Sequence, residues 1–129
     1  MTYCIACPPP KPRRFYSDAA NDYIKRLGRF CKVRFINSIE KTGARDVVIA
    51  FSPDGAPVSS ETMASKLASL EAGGAVSRIV FAAKQNNTTS ADEMWMLTSV
   101  VISDDLFITL LLEQLYRAQK IMHNEPYHK

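Results

Sequence analysis

SDDLFITLLLEQLYRAQKIMHNEPYHK, residues 103–129, is the most strongly patterned stretch of the chain. Apolar residues recur at Ile108, Leu111, Leu112, Leu115, Ala118 and Met122, the spacing of one buried helical face. Ser103 supplies an N-cap, and Asp104 and Asp105 put negative charge on the first turn, where the helix dipole favours it. Thr109, Glu113, Arg117 and Lys120 fall on the other side, with Glu113 and Arg117 in the favourable i, i+4 order. Asn124 and Pro126 end the helix, and His123 suits its negative C-terminal pole. Tyr127 and His128 follow, an aromatic and an imidazole where a frayed polar tail is usual, which marks them as candidates for chemistry.

Working outward, Asp46–Phe51 (DVVIAF) is a continuous apolar run, the pattern of a central parallel strand. Residues 2–7 predict a buried strand ended by Pro8-Pro9-Pro10, and Pro8–Arg14 a stiff basic loop. Helical spacing runs from Ser17 to Cys31, with Lys25, Arg26 and Arg29 sharing a polar side, and Val33–Ile36 predicts a second strand. Asn37–Arg45 is a polar connection, and Pro53-Asp54-Gly55 a turn. Ser59 or Ser60 caps a helix that turns Met63, Leu67 and Leu70 inward and stops at Gly73-Gly74. Arg78–Ala83 predicts a strand, Lys84–Ser90 a polar loop, Ala91–Met96 a helical turn and Thr98–Ile102 a last strand. Trp95, Met94 and Met96 read as core. Strands alternating with helices imply one α/β domain over residues 1–129 with a mostly parallel sheet flanked by helices. Ordinary topology rules give such a sheet no knot.

Hydrophobic content of 47% and charged content of 22% are those of a globular domain, and no apolar run is long enough to span a bilayer. With no recognisable signal peptide, the expected address is the cytoplasm, away from membranes. Three cysteines are an odd number, which argues against a disulfide framework. Cys4 and Cys7 form a lone C-x-x-C; without a second such pair or an early histidine it predicts buried thiols, with no metal site, over a redox pair. Charge is uneven: residues 1–45 hold ten Lys/Arg against three Asp/Glu, whereas residues 46–129 hold six against ten. A basic first third suggests a surface that faces phosphates, the competing reading being a solvated helix face.

The string Leu112-Glu113-Gln114-Leu115-Tyr116-Arg117-Ala118, then Ile121 and Pro126-Tyr127-His128-Lys129, resembles the end of the RlmH family of SPOUT-class methyltransferases. The resemblance extends to Asn21–Leu27, Cys31-Lys32-Val33, Val48–Phe51, Gly55 and Ser59-Ser60-Glu61. It implies a SPOUT-type fold whose C-terminal segment is threaded into a trefoil knot. Implied too is S-adenosylmethionine-dependent methylation of a pseudouridine N3 in the 23S RNA of the large ribosomal subunit, by a homodimer. On that basis Tyr127 and His128 line the base pocket and Arg117 holds a phosphate or base edge. The cofactor would lie against Phe51, the loop with Lys84 and Gln85, and Leu97, Thr98, Ser99, Val100, Val101 and Ile102. Lys11, Arg13, Arg14, Lys25, Arg26 and Arg29 would track the RNA.

The chain departs from the family pattern in three places. Asn37–Arg45 replaces a Lys-rich helix, making this a shortened version. Lys84-Gln85-Asn86-Asn87-Thr88 stands where a Gly-Gly-x-x-Gly loop is expected, and Ser103, Asp104 and Ile108 replace two basic groups and a proline. These departures keep open a second reading, a non-catalytic SPOUT dimer that binds RNA or ribosomes.

Overall fold

The computed structural model describes residues 1–6, 14–36, 43–82, 91–100 and 102–126, with residues 14–16 described by their backbone. The elements are β1 (Thr2–Ala6), α1 (Arg14–Leu27), β2 (Lys32–Ile36), β3 (Asp46–Pro57), α2 (Ser60–Ala72), β4 (Arg78–Ala82), β5 (Glu93–Met96) and α3 (Asp104–Met122). The five strands form one sheet in the order β2-β1-β4-β3-β5, and every pairing is parallel.

Two βαβ units build most of it. β1 leads through α1 to its neighbour β2, and β3 leads through α2 to its neighbour β4. Both steps run the same way along the sheet, so a right-handed crossover in each lays α1 and α2 on one face. The core agrees. Tyr3, Ile5, Ile49, Phe51, Ile79, Phe81 and Trp95 alternate along their strands onto this face, where they meet Ala20 and Leu27 of α1, Met63 and Leu67 of α2, and the buried stripe of α3. The other face is lined by smaller side chains, Cys4, Ala6, Val48 and Val80, with Ile36 and Ala91 against them.

α3 packs against both α1 and α2. Its buried residues are Phe107, Ile108, Leu111, Leu112, Leu115, Ala118 and Gln119, close to the stripe read from the sequence. Ser103 caps it, accepting from the Leu106 amide at 3.2 Å. Ser59 does the same for α2 through the Thr62 amide at 3.1 Å. Gln119 breaks the apolar pattern, being 1% exposed. Its Nε2 donates to Tyr3 Oη at 2.5 Å, and Tyr3 Oη donates to Glu71 Oε2 at 2.7 Å. One tyrosine thus ties β1 to α2 and α3. Burial, with the Glu71 carboxylate close by, pushes the Tyr3 phenol well above the ordinary tyrosine value, so it remains a donor.

Five expectations are corrected. Arg14 begins α1 and does not belong to the preceding loop. Residues 93–96 form a strand, not a helical turn, because pairing with β3 sinks Trp95 into the core and overrides local pattern. Its neighbour Met94 is exposed rather than core, as alternation along a strand demands. Thr98–Val100 is not strand: Thr98 Oγ1 accepts from the Val100 amide at 3.1 Å, a local turn that diverts the backbone from a ladder. Pro53-Asp54-Gly55 lies inside β3, as a bulge between the two stretches that pair with β5. The knot implied for the C-terminal segment is not among the features described, since residues 83–90 and Val101 lie outside the described residues. Cys4 and Cys31 are free, buried thiols, Cys31 pushed up to about 12 by burial and by Glu71, while Cys7 lies outside the described residues.

Replacing Tyr3 by Phe removes the shared hydroxyl and leaves Gln119 without that partner. The expected loss is about 1–3 kcal/mol of folding stability, read as a lower denaturant midpoint at unchanged slope.

Candidate active site

In an open parallel sheet, ligands bind outside the carboxyl ends of the strands, where neighbouring strands lead away in opposite directions. β1 leads toward one edge of the sheet and β4 toward the other, and the two lie side by side with Ala6 and Ala82 in register. That is the switch point. Next to β4 come β3 and β5, so the carboxyl ends of four strands line this rim.

The β3–β5 end of the rim is built around one close approach. β5 pairs with Ile49–Phe51 and again with Ala56–Pro57, and residues 52–55 bulge out between. Gly55 presses on the backbone of β5: a Cβ there would lie 2.5 Å from the Trp95 carbonyl carbon and 2.6 Å from its oxygen. No other residue fits without displacing a strand. Beneath the bulge, Phe51 meets Phe107 at 5.3 Å and Trp95 at 6.1 Å edge-to-face and stacks on Phe81 at 6.3 Å, while Phe81 and Trp95 lie tilted to each other. Glu93 Oε1 accepts from Trp95 Nε1 at 2.9 Å and from Lys66 Nζ of α2 at 3.2 Å. The indole N–H, then the Lys66 contact, holds the Glu93 carboxyl below its ordinary value against the opposing pull of partial burial.

Of the residues implied for the cofactor, Phe51 has its ring in the core and its backbone directly before the bulge of β3, with Leu97 following directly from β5. Val58 donates to Met96 O at 3.3 Å, keeping the two chain ends together. Leu97, Thr98 and Ile102 are half-buried, while Ser99 and Val100 are exposed. Lys84, Gln85 and Val101 lie outside the described residues.

The basic residues gather elsewhere, on the seam between α1 and α3. Lys25 is exposed. Arg26 pairs with Asp22 at 3.1 Å and its guanidinium lies 6.0 Å from the Tyr116 ring centre. Arg29 pairs with Glu125 at 3.2 Å and lies 4.9 Å over Phe30. Lys120 approaches Tyr116 at 5.8 Å, and Tyr23 leans on the same ring at 6.4 Å. Arg117, implied as a substrate contact, is half-buried on α3 beside this cluster. Lys11, Arg13, Tyr127 and His128 lie outside the described residues, as does the Arg14 side chain. Sequence reading missed Glu125, Lys120 and Phe30 as partners of these cations. Only the charge order hinted at them, because Arg29 and Glu125 are 96 positions apart. Among the described residues no cluster of three or more metal-ligating side chains occurs.

A five-stranded all-parallel sheet with a bulged strand and a C-terminal helix closing one face defines an α/β domain. The family model described as "Predicted SPOUT methyltransferase" matches residues 37–128. Ribosomal RNA large subunit methyltransferase H 1 of Thermoanaerobacter sp. (strain X514) is 35% identical, with the whole of both chains covered. The ribosomal RNA large subunit methyltransferases H of Anaeromyxobacter sp. (strain Fw109-5) and Dictyoglomus thermophilum are 29% and 27% identical, each over 88% of this chain and 90% of their own. The chain therefore belongs to the SPOUT methyltransferases, in the RlmH family.

Trp95 is the single tryptophan, so its emission reports on this site. Glu93 has a folded value below the unfolded one of about 4.3, so its contribution to stability is complete above that pH and is lost as pH falls through the lowered value. An acid titration of Trp95 fluorescence on the folded protein is expected to show a transition centred below about pH 4.3. That transition is expected to vanish in Glu93→Gln.

Proposed function

We propose that this methyltransferase acts as a homodimer in the cytoplasm and uses S-adenosylmethionine to methylate N3 of a pseudouridine in large-subunit ribosomal RNA. The observation that supports it most is the placement of the family's cofactor segments. Phe51 lies on β3 and Leu97 directly after β5, two strands that are neighbours in the sheet. An adenosine needs apolar contact and backbone hydrogen-bonding groups. The backbone after Phe51 and Leu97–Val100 carries such groups, which supports a cofactor site at this part of the rim.

S-adenosylmethionine supplies an already activated methyl group, so the protein's task is alignment and removal of the N3 proton. In this reading Tyr127 and His128 close the base pocket, with His128 taking that proton. Arg117 holds a phosphate or base edge, and Lys25, exposed on α1, meets the RNA backbone together with Lys11, Arg13 and Arg14. Relatives named ribosomal RNA large subunit methyltransferase H support the substrate class. No helix among the described residues is long and apolar enough to cross a membrane.

A second reading, an RNA-binding dimer without methyl transfer, draws on Lys84-Gln85 where glycines are expected, since added Cβ atoms narrow a loop that must approach a ligand.

Calorimetric titration separates the two. Micromolar binding of S-adenosylmethionine is expected, with methyl incorporation into large-subunit RNA that falls about 10²–10⁴-fold in His128→Ala. Absence of binding at millimolar cofactor would overturn the methyltransferase reading in favour of the second.

A further inference from the structure

The two faces of the sheet are unlike. α1, α2 and α3 cover one, while the buried side chains on the other are short: Cys4, Ala6, Val48 and Val80. On β2, Val33 and Phe35 pack toward the helices, and Ile36 packs with Cys4 and its neighbours. Alternation along the strand therefore sends Lys32 and Arg34 to the face without helices. Both are exposed. β2 is an edge strand, and on the inner side the register partners of Lys32 and Arg34 are Thr2 and Cys4, too short to cover a long cationic side chain.

The charges nearby leave these two cations uncommitted. Crossing the sheet from β2, the first acid on this face is Asp46 of β3, three strands away, and Arg78 of β4 holds it at 2.7 Å. Among the described residues neither Lys32 nor Arg34 has an acidic partner. The other cations of the basic first third differ: Arg26 and Arg29 pair with Asp22 and Glu125, and Arg45 donates to Gly74 O at 2.7 Å. Two positions along a strand span about 6.6 Å, so each cation is free to meet its own phosphate. Among the described residues no aromatic side chain shares this face, so the surface offers charge without a stacking platform. That is the chemistry of backbone contact and not of base reading. Lys32 opens β2, at the end of the sheet opposite the carboxyl rim.

We infer that Lys32 and Arg34, side by side on an edge strand and on the face without helices, form a phosphate-binding edge that grips the backbone of large-subunit RNA away from the target nucleotide. The inference rests on the reading of this chain as an enzyme that acts on that RNA. Charged residues also guard edge strands against pairing with another chain. The two roles differ in what neutralising the pair does to RNA affinity.

The test compares the full chain with Lys32→Gln/Arg34→Gln and with the charge-preserving exchange Lys32→Arg/Arg34→Lys. Binding is measured by co-sedimentation with purified ribosomes over a range of salt at fixed magnesium. The neutral pair is expected to weaken binding about tenfold and to flatten the slope of log affinity against log salt by about two, since each lost phosphate contact removes about one released counterion. The exchange should keep both values. In the neutral pair KM for ribosomes should rise while kcat at saturation and the affinity for S-adenosylmethionine stay unchanged, and Trp95 emission checks that it is folded. Unchanged affinity and slope in the neutral pair overturn the inference. So does self-association of that variant with ribosome binding intact, which would make the two residues edge guards. Weaker affinity at unchanged slope, or failure of the unaltered chain to bind ribosomes, overturns it as well. If the unaltered chain binds ribosomes but transfers no methyl group, the methyltransferase reading fails while the salt slope still decides whether the phosphate edge exists.

Discussion

Burial of one face of α3 is the constraint on which the other elements depend. Ile108, Leu111, Leu112, Leu115 and Ala118 are fully covered, and the helix meets the sheet, α1 and α2 together. Each large aliphatic side chain so buried contributes about 1.5–3 kcal/mol. A helix added last in sequence but central in space must arrive in one orientation, because a small rotation would drive Gln119 off Tyr3. The Tyr3–Glu71–Gln119 chain therefore selects among rotations that apolar packing alone would tolerate.

Orientation of α3 carries through to the site. Phe107, in its first turns, packs on Phe51 directly before the bulge of β3, so the helix start is fixed against the part of the rim where the cofactor is proposed to bind. Its far end is fixed by Glu125 and Phe30 against the turn after α1. One rigid element thus relates the rim at β3 to the corner at Glu125. Gly55 has a comparable part on the other side of the rim: its lack of a side chain lets the β3 bulge touch the backbone of β5 and holds Trp95 beneath.

Charge proved less available than composition suggests. The basic surplus of the first 45 residues promises a surface for polyanions, yet Arg26 and Arg29 are both paired with acids and laid on aromatic rings. Exposed pairs of this kind are screened and cheap to open. They orient helices and corners more than they stabilise them, and the cations left for RNA are fewer than the count.

From the sequence alone came the α/β class, the central strand Asp46–Phe51, both helix caps, the buried stripe of α3 and, through LYRA and PYHK, the family. All of these are written in local periodicity or contiguous motifs, the scale on which a sequence is legible. Residues 93–96 as a strand, the bulge at Pro53–Gly55, exposed Met94 and the non-strand segment at Thr98–Val100 were decided by tertiary structure. In the first three, pairing or close approach of distant backbone outweighed a local preference worth less than about 1 kcal/mol per residue, and at Thr98–Val100 a local side-chain hydrogen bond diverted the backbone from a ladder. The partners of Tyr3 and Arg29 were likewise beyond sequence reading. They lie 116 and 96 positions away, and only the folded sheet, with α3 laid across it, brings Gln119 and Glu125 within hydrogen-bonding distance.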